Sequence, residues 1–245
     1  MIRTRTAKQK RQQGQLAFRS WGGTRPGAGR KPNGIKAGAS HAQKAALAAR
    51  FPVHVTMRLL DGLSGLRQRA EYGVLKTCFI AACERRGFRI VHYSVQTNHL
   101  HLIVEARGRE ALARGLQGLF IRVAKALNKV WGRTGTVFAD RYHDHVLRTP
   151  REVRSALAYV LNNARRHRRR STAMASDGRR VTCPDPYSSG WWFDGWKERF
   201  TVKGLERASR PVAAGRTWLL NVGWRRHGLV RLDEVPAHGT PAGVP

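Results

Sequence analysis

The stretch FRIVHYSVQTNHLHLIVEA, residues 88–106, decides how the chain is read. Two runs rich in β-branched and aromatic residues meet near Thr97 and Asn98, so two strands are predicted, the second opening with His99-Leu100-His101. Side chains two apart on a strand share a face, which sets His99 and His101 side by side while Leu100, Leu102 and Val104 point the other way. Two neutral imidazoles so placed can grip one metal ion. An H-x-H by itself is more often a pair of surface or hydrogen-bonded core histidines, so a partner elsewhere must decide.

Upstream, FPVHVTMRL at 51–59 alternates Val53, Val55 and Met57 with polar positions and predicts a strand. Residues 63–86 place Leu66, Ala70, Val74, Cys78 and Ala81 on one helical stripe, with Gly87 as its stop. A second amphipathic helix spans 109–131, with Leu112, Leu116, Leu119, Val123, Leu127 and Val130 inward and Arg122, Lys125 and Lys129 on other faces. Residues 135–148, GTVFADRYHDHVLR, read as a fourth strand or an extended loop. Thr149 then caps a third helix that starts at Pro150 and runs to about His167. The order strand, helix, strand, strand, helix, strand is the split βαβ or ferredoxin-like pattern of the α+β class. An antiparallel sheet with helices on one face is expected, plus a C-terminal helix.

The chain has 245 residues, 41% of them hydrophobic, enough for one core of ordinary domain size with residues left for extensions. Lys and Arg outnumber Asp and Glu by 46 to 15, a net charge of +31 that would repel itself without a polyanion, most commonly nucleic acid. No acidic residue occurs before Asp61, and residues 1–50 read as a flexible basic arm. Residues 51–170 form the expected catalytic or binding domain, and 171–245 a linker followed by a Trp-rich extension, either a small module or a segment docked on the main domain. Cys78, Cys83 and Cys183 form no C-x-x-C pair and leave an odd thiol in any disulfide scheme, as in a reducing compartment. With no apolar run of membrane-spanning length and no signal-peptide pattern, a cytoplasmic protein without a membrane partner is expected.

The third helix buries a stripe of Val153, Leu157, Val160 and Ala164. At about 100° per residue, Tyr159 and Asn163 lie together one turn apart on a flanking face. A helical tyrosine alone is usually core packing, but this one sits off the apolar stripe.

His99-Leu100-His101 on a strand, an intervening helix, and Tyr159-Val160-Leu161-Asn162-Asn163 on a later helix resemble the single-tyrosine HUH transposases of the IS200 type, and most of all the REP-associated tyrosine transposases. The resemblance covers residues 51–170 and includes Asn98 ahead of the histidines. It implies a divalent cation, Mg²⁺ or Mn²⁺, on His99, His101 and Asn163, and Tyr159 as the nucleophile that takes a 5′-phosphate. It further implies single-stranded or hairpin DNA as the partner, with palindromic repeats as the recognised form, and either a monomer or a homodimer. Arg122, Lys125 and Lys129, with Arg165, Arg166, Arg168, Arg169 and Arg170, could line the DNA path electrostatically, and the C-terminal tryptophans could stack bases or pack their own core. Two departures stand out: Gln96-Thr97-Asn98 replaces Met-Pro-Asn before the histidines, and Asn163-Ala164 replaces Asn-Pro. Lacking that helix breaker, the helix is expected to run on into the arginine cluster.

Two alternatives stay open. His143-Asp144-His145 with Asp140 and Tyr142 could form a different metal centre with Tyr142 as nucleophile. Alternatively, the chain could be a domesticated nucleic-acid-binding protein that keeps the fold without the reaction.

Overall fold

The computed structural model describes residues 45–171, 182–200 and 209–234, with the side chains of 165–171 outside the description. The basic arm expected at 1–50 lies almost wholly outside these residues. All described residues belong to one compact unit, Ala39–Pro245.

Strand β1, Val53–Arg58, is followed by helix α1, Arg69–Ala82, a short β2, Glu84–Arg85, and the pair β3, Phe88–Val95, and β4, His99–Ala106. Helix α2, Arg109–Val130, strand β5, His143–Val146, and helix α3, Pro150–Ser171, complete the domain. The five strands form one antiparallel sheet in the order β2-β3-β4-β1-β5. The fold is α+β, as the periodicity predicts.

Strand alternation splits the molecule into two cores. Val53, Val55, Met57, Leu100, Leu102 and Val104 pack with α1 and α2 on one face. On the other, Ile103 and Val91 meet Val153, Leu157 and Val160 of α3. A register shift between Ile90 and His92 leaves Val91 as an extra residue, which lets β3 serve both cores. Helix α2 approaches β3 closely at Gly115, where a Cβ would lie 2.3 Å from Phe88 Cγ.

Helix α1 is shorter than its pattern predicts and rotated by one residue. It stops at Ala82, and Glu84–Arg85 leave it to pair with β3 through a turn in which Gly87 has φ +78°. Gly87 is thus a hairpin residue, not a helix stop. The buried stripe is Leu75, Cys78, Phe79 and Ala82, whereas Ala70 and Ala81 are exposed. Both registers have helical spacing, and the one with the larger side chains faces the sheet, since it buries more apolar area.

Helix α3 begins as read, at a capping box: Glu152 N–H donates to Thr149 Oγ1 at 3.2 Å, and Glu152 Oε2 accepts from Thr149 N–H at 3.0 Å. It does continue to Ser171, through the arginine cluster. The Trp-rich segment docks on the main domain. Trp196 and Trp224 are buried against α3 with Leu219, Leu220, Val230 and Leu232, while Trp218 stays half exposed. No helix among the described residues is long and apolar enough to cross a membrane.

Two predictions follow from this packing. Gly115→Ala would drive a methyl into the Phe88 ring and is expected to lower stability by about 1–3 kcal/mol, read from urea unfolding. His92, buried beside Ser189 Oγ at 3.2 Å, is held neutral by burial, its pKa pushed down to about 3. The unfolded chain therefore takes up a proton below about pH 6.5 that the folded one refuses until about pH 3. Stability should fall as pH drops from about 6.5 toward 5, and His92→Asn should make that decline shallower in thermal melts.

Candidate active site

The α3-facing side of the sheet is polar where the other side is apolar. From β4 it carries His99, His101 and Glu105, and from β1 His54, Thr56 and Arg58, in register pairs Thr56 with His101 and Arg58 with His99. The His99 and His101 rings meet edge to face with centroids 4.7 Å apart. Tyr159 comes down from α3 onto His101, ring centroids 5.1 Å apart at 80°. The phenol and the imidazole pair, 58 residues apart in sequence between His101 and Tyr159, are thus brought together.

Each imidazole is oriented by a neighbour through its Nδ1. Asn98 Oδ1 lies 2.9 Å from His99 Nδ1; an amide oxygen only accepts, so this contact places the proton on Nδ1 and leaves Nε2 with its lone pair. His101 Nδ1 lies 3.1 Å from Thr56 Oγ1 and 3.2 Å from His54 Nε2. Either can accept the Nδ1 proton when His101 uses Nε2 as a ligand, the usual outer-shell support for metal-binding histidine. Burial and the nearby His145 depress the pKa of His54 to about 4, so it is uncharged near neutrality and adds no repulsion to a cation beside it.

His54 and Thr56 are the site residues that sequence reasoning missed. Their signal was present as the polar half of the β1 alternation, but only pairing with β4 shows that this half faces His101.

Asn163 lies one turn beyond Tyr159 and is fully buried. Neither its Oδ1 nor its Nδ2 has a hydrogen-bond partner among the described residues. A buried amide left so costs free energy, about 1–3 kcal/mol for each unsatisfied group, and asks for an explanation. An amide oxygen held ready for a cation is one. No group of three or more His, Cys, Asp or Glu among the described residues could hold a metal ion. A set of two imidazoles and one amide oxygen is of a different kind, and the donors present fit a hard or borderline divalent cation.

No family model and no curated protein matches this chain. A solved structure does. It is a REP-associated tyrosine transposase bound to a REP hairpin, 18% identical, matched over 62% of this chain and 82% of that one with a TM-score of 0.45.

Arg122, Lys125 and Lys129 are exposed on α2, on the opposite face of the sheet from the imidazoles, and are not brought to them. The side chains of Arg165, Arg166, Arg168, Arg169 and Arg170 lie outside the described residues. In the rival cluster, strand alternation separates the parts. His143 and His145 pair with Thr56 and His54 on the α3 side, whereas Asp144 forms an ion pair with Arg109 of α2, and Tyr142 packs on the α1/α2 core. Burial pushes the Tyr142 phenol pKa up, which makes it a poorer nucleophile.

The orphaned amide yields a test by itself. Asn163→Leu, close in size and without polar atoms, should leave stability unchanged or raise it by about 1 kcal/mol. A loss of more than about 2 kcal/mol in urea unfolding would mean that the amide is satisfied within the fold.

Proposed function

We propose that this protein is a metal-dependent single-strand DNA endonuclease and strand transferase that works through a 5′-phosphotyrosine on Tyr159. Hairpin or palindromic DNA is the substrate form that the family resemblance implies. The observation that supports the reading most is the approach of the Tyr159 ring to His101, centroids 5.1 Å apart, where His101 itself lies 4.7 Å from the His99 ring, with the Asn163 amide, unpartnered among the described residues, one turn away.

His99 and His101, through their Nε2 atoms, and Asn163 Oδ1 would hold Mg²⁺ or Mn²⁺, which when bound polarises the scissile phosphate and offsets charge in the transition state. Asn98, Thr56 and His54 keep the two imidazoles in the required tautomer. The Tyr159 hydroxyl attacks phosphorus, a P–O bond to the phenol forms, and the bond to the 3′ oxygen breaks. The phenol's proton is lost and the leaving 3′ oxygen gains one, so the products are a 5′-phosphotyrosine and a free 3′-OH. Because the ester linkage is conserved, attack by a second 3′-OH reverses the step and joins strands without a nucleotide cofactor. A phenol is ionised only near pH 10 in water, which explains why the electrophile must be activated.

The closing test is the covalent adduct. Wild-type protein incubated with hairpin or single-stranded oligonucleotides and Mn²⁺ should give a protein–DNA band on denaturing gels that EDTA and Tyr159→Phe each abolish. Tyr142→Phe should leave that band in place. An adduct that persists in Tyr159→Phe would move the nucleophile, and metal-independent DNA binding with no cleavage by the wild type would favour a binding protein of this fold.

A further inference from the structure

At the far end of the same sheet face lies a second cleft, of about 750 Å³, where β3 begins, β4 ends and α3 starts. It is lined by Arg50, Arg107, Arg148 and Arg216, with Phe51 and Trp218 among the aromatic side chains. The cleft is distinct from the site at His99, His101 and Tyr159, none of which lines it. Four residues of β4 separate His101 from Glu105 in the cleft wall, about 13 Å at the rise of a strand. Nine residues of α3 separate Pro150 at the cleft from Tyr159, again about 13 Å at the rise of a helix.

Charge in the cleft is not balanced by the fold. Glu105, buried in the wall, is consumed by Arg89 Nη1 at 2.9 Å and by the backbone N–H groups of Arg216 and Thr217, the latter at 2.7 Å. Arg216 is paired with Glu84 at 2.7 Å. Arg50, Arg107 and Arg148 are exposed and have no carboxylate partner among the described residues.

Two of these guanidinium groups are held on an aromatic ring. Arg50 stacks over Phe51 at 4.8 Å and Arg148 at 5.7 Å, which preorganises two cations beside each other. Opposite them Trp218 is 49% exposed although it stands in a segment anchored by the buried Leu219, Leu220 and Trp224. Its ring is backed by Arg226 at 4.9 Å and by Gly223, where a Cβ would come within 2.6 Å. A large indole kept open and rigid beside unpaired arginines has the features of a stacking platform in an electrostatic groove.

We infer that this cleft is a second nucleic-acid subsite, which takes the phosphodiester backbone of a DNA single strand on Arg50, Arg107 and Arg148 and stacks an unpaired base on Trp218. At 3.4 Å per stacked nucleotide the 13 Å offset sets the held segment about four nucleotides from the phosphate at Tyr159. The inference rests on the reading of the protein as one that handles single-stranded DNA, but not on cleavage. A strand anchored there would be positioned for reaction without engaging the metal ligands.

The test uses the full chain with Tyr159→Phe in EDTA, so that neither cleavage nor metal contributes, and a fluorescein-labelled single-stranded DNA oligonucleotide over a salt series. Arg107→Ala with Arg148→Ala should lower the slope of log affinity against log salt by about 1.4, since each phosphate contact to a single strand contributes about 0.7. The charge-matched pair Arg69→Ala with Arg114→Ala, on α1 and α2 at the other face, should lower it by less than half as much. Trp218→Leu should remove the quenching of tryptophan emission that accompanies binding of the unlabelled strand. Equal slope losses from both double variants, or quenching that persists in Trp218→Leu, would overturn the subsite. Loss of the cleft effect would leave the covalent adduct of the wild type untouched, and absence of that adduct would leave the cleft effect standing, so the two readings fail separately.

Discussion

The structure depends on the two-residue alternation of β4. Leu100, Leu102 and Val104 enter one core at 1% exposure or less, and the intervening His99, His101, Ile103 and Glu105 are turned toward α3. A strand in the middle of a sheet cannot slip by one residue without exchanging these faces, so the apolar core and the polar site specify each other's register. Neighbouring strands extend the polar face: His54 and Thr56 on β1, His92 and Ser94 on β3. Burying so many polar groups is tolerable because they find partners, as His101 does in Thr56, His92 in Ser189 and Glu105 in three donors. Against that background the Asn163 amide departs from the pattern, with neither its Oδ1 nor its Nδ2 hydrogen-bonded among the described residues.

Helix α3 needs a second wall to hold its rotation. Its apolar stripe is wider than the sheet can cover, and the C-terminal segment supplies the remainder through Trp224, Leu219 and Val230. That segment is fastened next to the histidine turn. Arg67 makes a bidentate pair with the nearly buried Asp185 at 2.8 and 2.7 Å, donates to Val95 O at 2.8 Å, and lies 4.3 Å over the Tyr187 ring. Removing one member would strand a buried charge, which costs far more than a surface pair is worth. With both sides of α3 engaged, Tyr159 has little freedom to turn away from His101.

The few carboxylates are spent on architecture. Asp144 is paired with Arg109, Asp185 with Arg67, Glu105 with Arg89 and Glu234 with Arg154, each tying distant segments together. Among the described residues, arginines and lysines outside such pairs, such as Arg86, Arg107, Arg122, Lys125 and Lys129, are exposed, in a chain whose net charge is +31. Such a surface attracts polyanions without discrimination, and specificity has to come from where cations are preorganised beside aromatic rings.

Strands β1, β3 and β4, the presence of the three helices, the cap at Thr149, the run of α3 past Asn163 and the pairing of His99 with His101 and of Tyr159 with Asn163 were legible in the sequence, because most of these are a matter of local period: two residues on a strand, about 3.6 on a helix. The short β2 was not, since Glu84 and Arg85 continue the helical pattern of α1 and leave it only to pair with β3. The rotation of α1 was not, since two registers of similar spacing compete and only contact with the sheet separates them. Nor could local period show that His54 and Thr56 support His101, that Arg122, Lys125 and Lys129 face away, or that the tryptophans wall in α3. Periodicity says which residues share a face; which faces meet is decided by long-range packing, where apolar area buried between distant segments outweighs any local preference.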